Sequence, residues 1–136
     1  MKIVFFELEG WERPYLEKLL PPGHDVEYLT QRVSTADAAN LAECQILSTF
    51  IFSQVNENIL NLAPSLKLVA TRSTGYDHVD CAAAKKNNVQ VANVPEYGSN
   101  TVAEHTFALL LALSRKVIPA YVRTRAGAFD TNGLRG

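Results

Sequence analysis

No two of the seven glycines stand as G-x-G; they fall at positions 10, 23, 75, 98, 127, 133 and 136. That excludes a dinucleotide fingerprint and a P-loop within these 136 residues, because both need closely spaced glycines to bring backbone against phosphate. No serine sits in a G-x-S-x-G elbow. The three histidines, His24, His78 and His105, form no HExxH or other metal spacing, so no metal site is expected. Only two cysteines occur, Cys44 and Cys81, with no CxxC; two buried thiols in a reducing cytosol are expected rather than a disulfide. No run of like charge appears, and a net charge of −1 provides no broad pull toward nucleic acid or an anionic membrane. The longest apolar run, Phe107–Leu113, is far too short to span a bilayer. No signal peptide is expected at the opening, since its apolar run soon meets Glu7 and Glu9. A cytoplasmic location is the expectation.

What is present is enough for a core. The chain is 47% hydrophobic and 20% charged, the balance of a globular domain. "KIVFFEL", "HDVEYLT", "QILSTF", "LKLVAT" and "VQVANV" read as short strands. Between them lie helical patterns: "GWERPYLEKLL", a segment near "STADAANLA", "VNENILNLAP" and "HVDCAAAKKNN", the last with Asn87 and Asn88 as terminators. Five strands alternating with helices, at about twenty residues per unit, predict a parallel sheet with helices on both faces. Right-handed crossovers narrow this to a flavodoxin-like arrangement.

The pattern changes after "NVPEYGSN". "TVAEHTFALLLALSRKV" reads as one long helix, with Thr101 and Glu104 as a capping box and Asn100 as a competing cap. Its centre is apolar on all sides, which predicts burial all round, between this domain and another body. "IPAYVRTRAGAFD" reads as a shorter helix past Pro119, and "TNGLRG" as turn residues.

"TRSTGYDHVD" draws attention because a polar, glycine-bearing turn follows a strand, where open α/β sheets bind ligands. With a helix opening at about His78 or Val79, Thr74 and Gly75 would offer backbone N–H groups to a small carboxylate at a helix N-terminus. The plain alternative is a strand-to-helix turn that uses glycine for a positive φ. Tyr97 could reach over the same edge of the sheet, or pack on Pro95. His105 beside Glu104 points elsewhere on a helix, so the two are poor partners and His105 reads as a packed or interfacial residue. His78 reads as a helix-start residue, and Arg72 as an ion-pair partner of Asp77 or Asp80. Glu7, Glu9 and Glu12 suggest a receiver domain's Mg²⁺ cluster, but "ILSTF" lacks the phosphoacceptor aspartate; "ELEGWERP" is not a flavodoxin phosphate loop either.

From "LVATRSTGYDHVD" through "VQVANVPEYGSNTVAEHTFALLLALSRKV" to "GLRG", essentially the whole chain resembles the D-isomer-specific 2-hydroxyacid dehydrogenases, particularly D-lactate-dehydrogenase-like members. The resemblance implies a flavodoxin-like substrate-binding domain over residues 1–99. Residues 100–136 would be an interdomain helix and linker, truncated before a Rossmann NAD domain. It implies an NAD-dependent oxidoreductase that interconverts a 2-oxo acid and a D-2-hydroxy acid by hydride transfer. The acid/base histidine, its orienting carboxylate and the substrate-clamping arginine would all lie later in the chain. No catalytic residue is therefore expected here, and the fragment alone would be inactive with no NAD bound. Carried over residue by residue, Thr74 and Gly75 correspond to the turn whose N–H groups hold the substrate carboxylate, Tyr97 to a tyrosine lining the substrate pocket, and Val102 to a position near the nicotinamide. The expected partners are the small acid, the absent NAD domain and a second copy in a homodimer, met through the apolar helix. The competing reading is a stand-alone flavodoxin-like module that binds a small carboxylate at Thr74–Gly75 without turnover.

Overall fold

The computed structural model describes residues 1–135. Five strands, β1 (Lys2–Phe5), β2 (Asp25–Tyr28), β3 (Ile46–Thr49), β4 (Leu68–Thr71) and β5 (Gln90–Ala92), form one sheet in the order β2-β1-β3-β4-β5, every pair parallel. This is the flavodoxin-like order expected from the alternating pattern. Along β1 the side chains alternate between two clusters, as a period of two requires. Val4 and Phe6 enter a core with Leu41, Leu47, Val55 and Val69. Ile3 and Phe5 enter the opposite core, beneath Leu16 and Leu20, and Leu8 joins them past the strand, where the left-handed φ of Glu7 breaks the alternation.

The helices sort accordingly. α1 (Glu12–Leu19) covers the second core near β1 and β2. On the other face α2 (Ala38–Leu41), preceded by a 3₁₀ turn at Thr35–Asp37, joins α3 (Glu57–Asn61) and α4 (Cys81–Lys86) through Leu41, Ile59, Leu60 and Ala84. Short polar side chains fix their starts. Ser34 and Asp37 make a reciprocal box, and Asn56 Oδ1 accepts from Ile59 N at 3.2 Å. Asn87 closes α4 and Asn88 takes a left-handed φ of 55°, as terminators do.

The thiols differ from expectation. Both are free, Cys44 is buried, but Cys81 is exposed because it sits on the outer side of the first turn of α4. Burial pushes the Cys44 thiol up to about 11. In native protein only Cys81 is therefore expected to react promptly with Ellman's reagent, and both in denaturant; prompt reaction of two thiols in the native state would contradict this.

The chain divides into two compact units, Met1–Pro95 and Glu96–Gly136. The second contains α5 (Ser99–Ser114) and α6 (Val117–Arg125). α5 starts earlier than expected, from Gly98, so Thr101 lies inside the first turn and neither it nor Asn100 caps the helix. The expected all-round burial is not found. Phe107, Leu109, Leu110, Leu111 and Leu113 are each more than half exposed, because α6 alone among the described elements of this unit lies against α5. α6 begins before Pro119, which falls at its third residue, where a missing N–H costs no helical bond. Turn residues end the described chain; Gly136, the last residue of the "GLRG" motif, lies outside it.

Candidate functional site: an amide lip at the end of β4

Because all strands are parallel, the segments leaving β1, β3, β4 and β5 gather at one edge of the sheet. Arg72 is the first residue past β4, and its N–H donates to Thr49 O at 2.8 Å. Its guanidinium donates to Glu12 Oε1 (3.1 Å), Ser48 Oγ (3.2 Å), Phe6 O (3.0 Å) and Glu7 O (2.9 Å). The expected pairing with Asp77 or Asp80 is thus not made: Asp80 Oδ1 caps α4, accepting from Ala83 N at 2.9 Å, and Arg72 reaches inward to β1 and β3. The same packing consumes the acidic cluster. Glu7 accepts from Phe50 N and Phe52 N, Glu9 from Trp11 Nε1, and Glu12 from Glu9 N as well as Arg72. Among the described residues no group of three or more His, Cys, Asp or Glu could hold a metal ion.

Beyond Arg72 the chain turns through Ser73, Thr74 and Gly75. Each carbonyl of this turn is held. Ser73 O accepts from Val94 N (3.0 Å) and Thr71 Oγ1 (3.3 Å), Thr74 O from Asn93 Nδ2 (2.8 Å), and Gly75 O from Ser73 Oγ (2.7 Å). Thr74 Oγ1 adds a bond to Val94 O at 3.0 Å. The N–H groups of Thr74, Gly75 and Tyr76 donate to no group among the described residues, and these three residues are exposed. A backbone donor without a protein partner is available to solvent or to a bound anion.

Two expectations about this turn are corrected. No helix starts at His78 or Val79. Residues 76–79 form a tight turn, closed by Val79 N donating to Tyr76 O at 2.9 Å. Val79 then pairs with Val55 as an isolated parallel bridge, with His78 O accepting from Val55 N and Asp80 N donating to Val55 O, and α4 opens only at Cys81. The lip therefore consists of turn amides alone, without a helix dipole behind them. Gly75 also has no positive φ, so the turn itself does not demand glycine. A Cβ there would meet only Asp77 Oδ2, at 3.7 Å.

Gly75 lines a hollow of about 280 Å³ together with Ile51, Gln54, Asp77 and His78. Its two walls are the segments following β3 and β4, tied together by the Val55–Val79 bridge. A larger hollow, about 390 Å³, lies along α4 and β5 without the free amides. Of the side chains that sequence reading passed over, Asn93 and Ser73 set the turn, and Ile51 and Gln54 supply the facing wall. Tyr97 and Val102 belong to the second unit, each 66% exposed, Tyr97 ahead of α5 and Val102 in its first turn. His105 is exposed on α5 rather than packed, and His78 is buried in the loop ahead of α4 with Nε2 unpartnered. No helix among the described residues is long and apolar enough to cross a membrane.

Comparison with known proteins agrees with this layout. Residues 3–131 match the family described as D-isomer specific 2-hydroxyacid dehydrogenase, catalytic domain. The chain is 34% identical to 2-hydroxyacid dehydrogenase homolog 1 of Schizosaccharomyces pombe, over all of this chain and 42% of that protein. It is 27% identical to D-lactate dehydrogenase of Escherichia coli, with the same coverage. A crystal structure of D-lactate dehydrogenase from Aquifex aeolicus, complexed with NAD and lactic acid, superposes with a TM-score of 0.82 at 30% identity, covering 94% of this chain and 38% of that one. The chain spans about two fifths of the length of these relatives. By sequence and by fold, it belongs to the D-isomer specific 2-hydroxyacid dehydrogenases and carries their catalytic-domain pattern.

Proposed function

We propose that this chain is the substrate-binding part of an NAD-dependent D-2-hydroxyacid dehydrogenase, and that Thr74 and Gly75 grip the carboxylate of a small 2-oxo or 2-hydroxy acid through their N–H groups. One observation carries the reading: consecutive amides at the carboxyl edge of the sheet are left without acceptors while every carbonyl of the same turn is bonded. Tyr97 lines the substrate pocket in this reading. The exposed leucines of α5 are the surface a cofactor-bearing lobe would cover.

The residues present do not make a dinucleotide cradle. There is no G-x-G, and Val102 offers only one apolar contact for the nicotinamide. No step of the redox chemistry is therefore assigned to this chain. Its share is binding and orientation, with hydride transfer between 2-oxo acid and D-2-hydroxy acid supported elsewhere in the parent enzyme. Asp77 places a carboxylate beside the lip, which opposes an anion. Tight binding thus requires a cation from outside the lip, and the lip alone should bind in the millimolar range, the worth of about 3 to 4 kcal/mol from two or three hydrogen bonds.

Gly75→Ala tests this. The backbone is unstrained and the methyl has room, so thermal stability should stay within about 0.5 kcal/mol of the original. The methyl stands where the ligand must approach, so pyruvate affinity should fall at least about tenfold, a steric loss of about 1.4 kcal/mol or more. Pyruvate titration of ¹⁵N-labelled protein should shift the amides of residues 74–76. Shifts confined to other residues, or equal affinity in the variant, would refute the assignment.

A further inference from the structure

Each amide of the lip shares a planar trans peptide with the carbonyl before it, and the two point in opposite directions. Fixing a carbonyl on one side therefore aims an N–H to the other. Ser73 O aims Thr74 N–H, Thr74 O aims Gly75 N–H, and Gly75 O aims Tyr76 N–H. The anchors differ in kind. Ser73 O is held by a backbone donor, Val94 N, backed by Thr71 Oγ1. Thr74 O is held by a single side chain, the half-buried Asn93, just past β5 and at 2.8 Å. Thr74 O can only accept, so the Asn93 group facing it is the NH₂. A donor on the carbonyl also polarises the peptide and strengthens its N–H as a donor.

We propose that Asn93 is a positioning residue for substrate: it orients and polarises the Gly75 N–H without touching the ligand. This rests on the reading that Thr74 and Gly75 hold a substrate carboxylate. The consequence is an asymmetry that a general packing role does not produce. Removing the Asn93 donor loosens the Gly75 N–H and leaves the Thr74 N–H in place.

The test is pyruvate titration of the ¹⁵N-labelled chain, as Asn93→Leu and as Asn93→Gln. Asn93→Leu keeps the size and removes the donor; Asn93→Gln keeps a donor on a side chain with room to adjust. Asn93→Leu should weaken pyruvate binding about fivefold, the net worth of one hydrogen bond. The pyruvate-induced shift of Gly75 should shrink while that of Thr74 persists, and the Gly75 ¹⁵N resonance should move even without ligand. Asn93→Gln should return affinity to within about twofold. Asn93→Ala removes the same donor with less bulk and must reproduce the asymmetry, which guards against a packing fault peculiar to leucine. Unchanged affinity, or equal losses at Thr74 and Gly75, would overturn the role of Asn93 while leaving the lip standing. If pyruvate moves none of residues 74–76 in the original chain, the lip itself falls, and the role of Asn93 with it.

Discussion

Arg72→Met should cost about 3 kcal/mol of stability, through the acceptors it abandons. The guanidinium is largely buried, 18% exposed, and donates to four oxygens from three segments. Methionine fills much of the same volume, so little of the loss is cavity. What remains is the set of stranded partners: the carbonyls of Phe6 and Glu7, the buried Ser48 hydroxyl and the Glu12 carboxylate. A buried acceptor left unbonded costs about 1 to 3 kcal/mol, and water entering from the partly open side recovers some of it. Arg72→Lys should recover less than half, because one ammonium cannot reach a fork of four acceptors spread across β1, β3 and α1. Urea unfolding followed by circular dichroism measures both; a loss under about 1 kcal/mol for methionine, or full rescue by lysine, would show that the fork does not hold this edge.

Arg72 also marks where sequence reading stops. The strands were legible because a sheet covered on both faces needs unbroken β-branched and apolar runs, and "KIVF", "ILST" and "LVAT" are such runs. Their order followed from short crossovers of one hand. The position of the polar turn after β4 was legible too, since Thr71 ends a strand and Gly75 stands in a polar stretch just beyond it. Its workings were not. Asn93 and Thr74 are 19 residues apart, and Arg72 is 60 from Glu12 and 65 from Glu7. Nothing in local spacing announces such pairs, so the nearer Asp77 and Asp80 looked like the natural partners of Arg72. The start of α4 lies later than local preference suggests for a related reason: the Val55–Val79 bridge is a contact between two loops, and it ties up Val79, the residue after the turn at His78, where a helix would otherwise begin. The apolar composition of α5 predicted burial all round, whereas its leucines and Phe107 are exposed among the described residues, because composition does not say which body does the burying.

The same edge depends on a second buried charge. Glu7 takes a left-handed φ of 58°, a conformation that costs a non-glycine residue about 1 to 2 kcal/mol. The compensation is its carboxylate, whose Oε2 accepts from Phe50 N at 2.6 Å and whose Oε1 accepts from Phe52 N at 2.9 Å. These bonds span the start of the loop after β3, whose Ile51 and Gln54 face Gly75 across the hollow. Glu7→Gln keeps the shape but offers one oxygen and one NH₂, so one loop amide loses its acceptor and meets a donor instead. The expected loss is about 2 to 3 kcal/mol, the range for a charge-assisted bond replaced by a buried mismatch. Glu7→Gly relieves the backbone but abandons both bonds, and should still be less stable than the original chain. Hydrogen exchange separates local from global effects. If Glu7 holds the loop, the amides of Phe50 and Phe52 should exchange at least about tenfold faster in Glu7→Gln, beyond the change at strand amides of β1 and β3. Pyruvate affinity should fall with them, because the wall opposite the lip is no longer fixed; a variant with fast-exchanging Phe50 and Phe52 but unaltered affinity would remove Ile51 and Gln54 from the site.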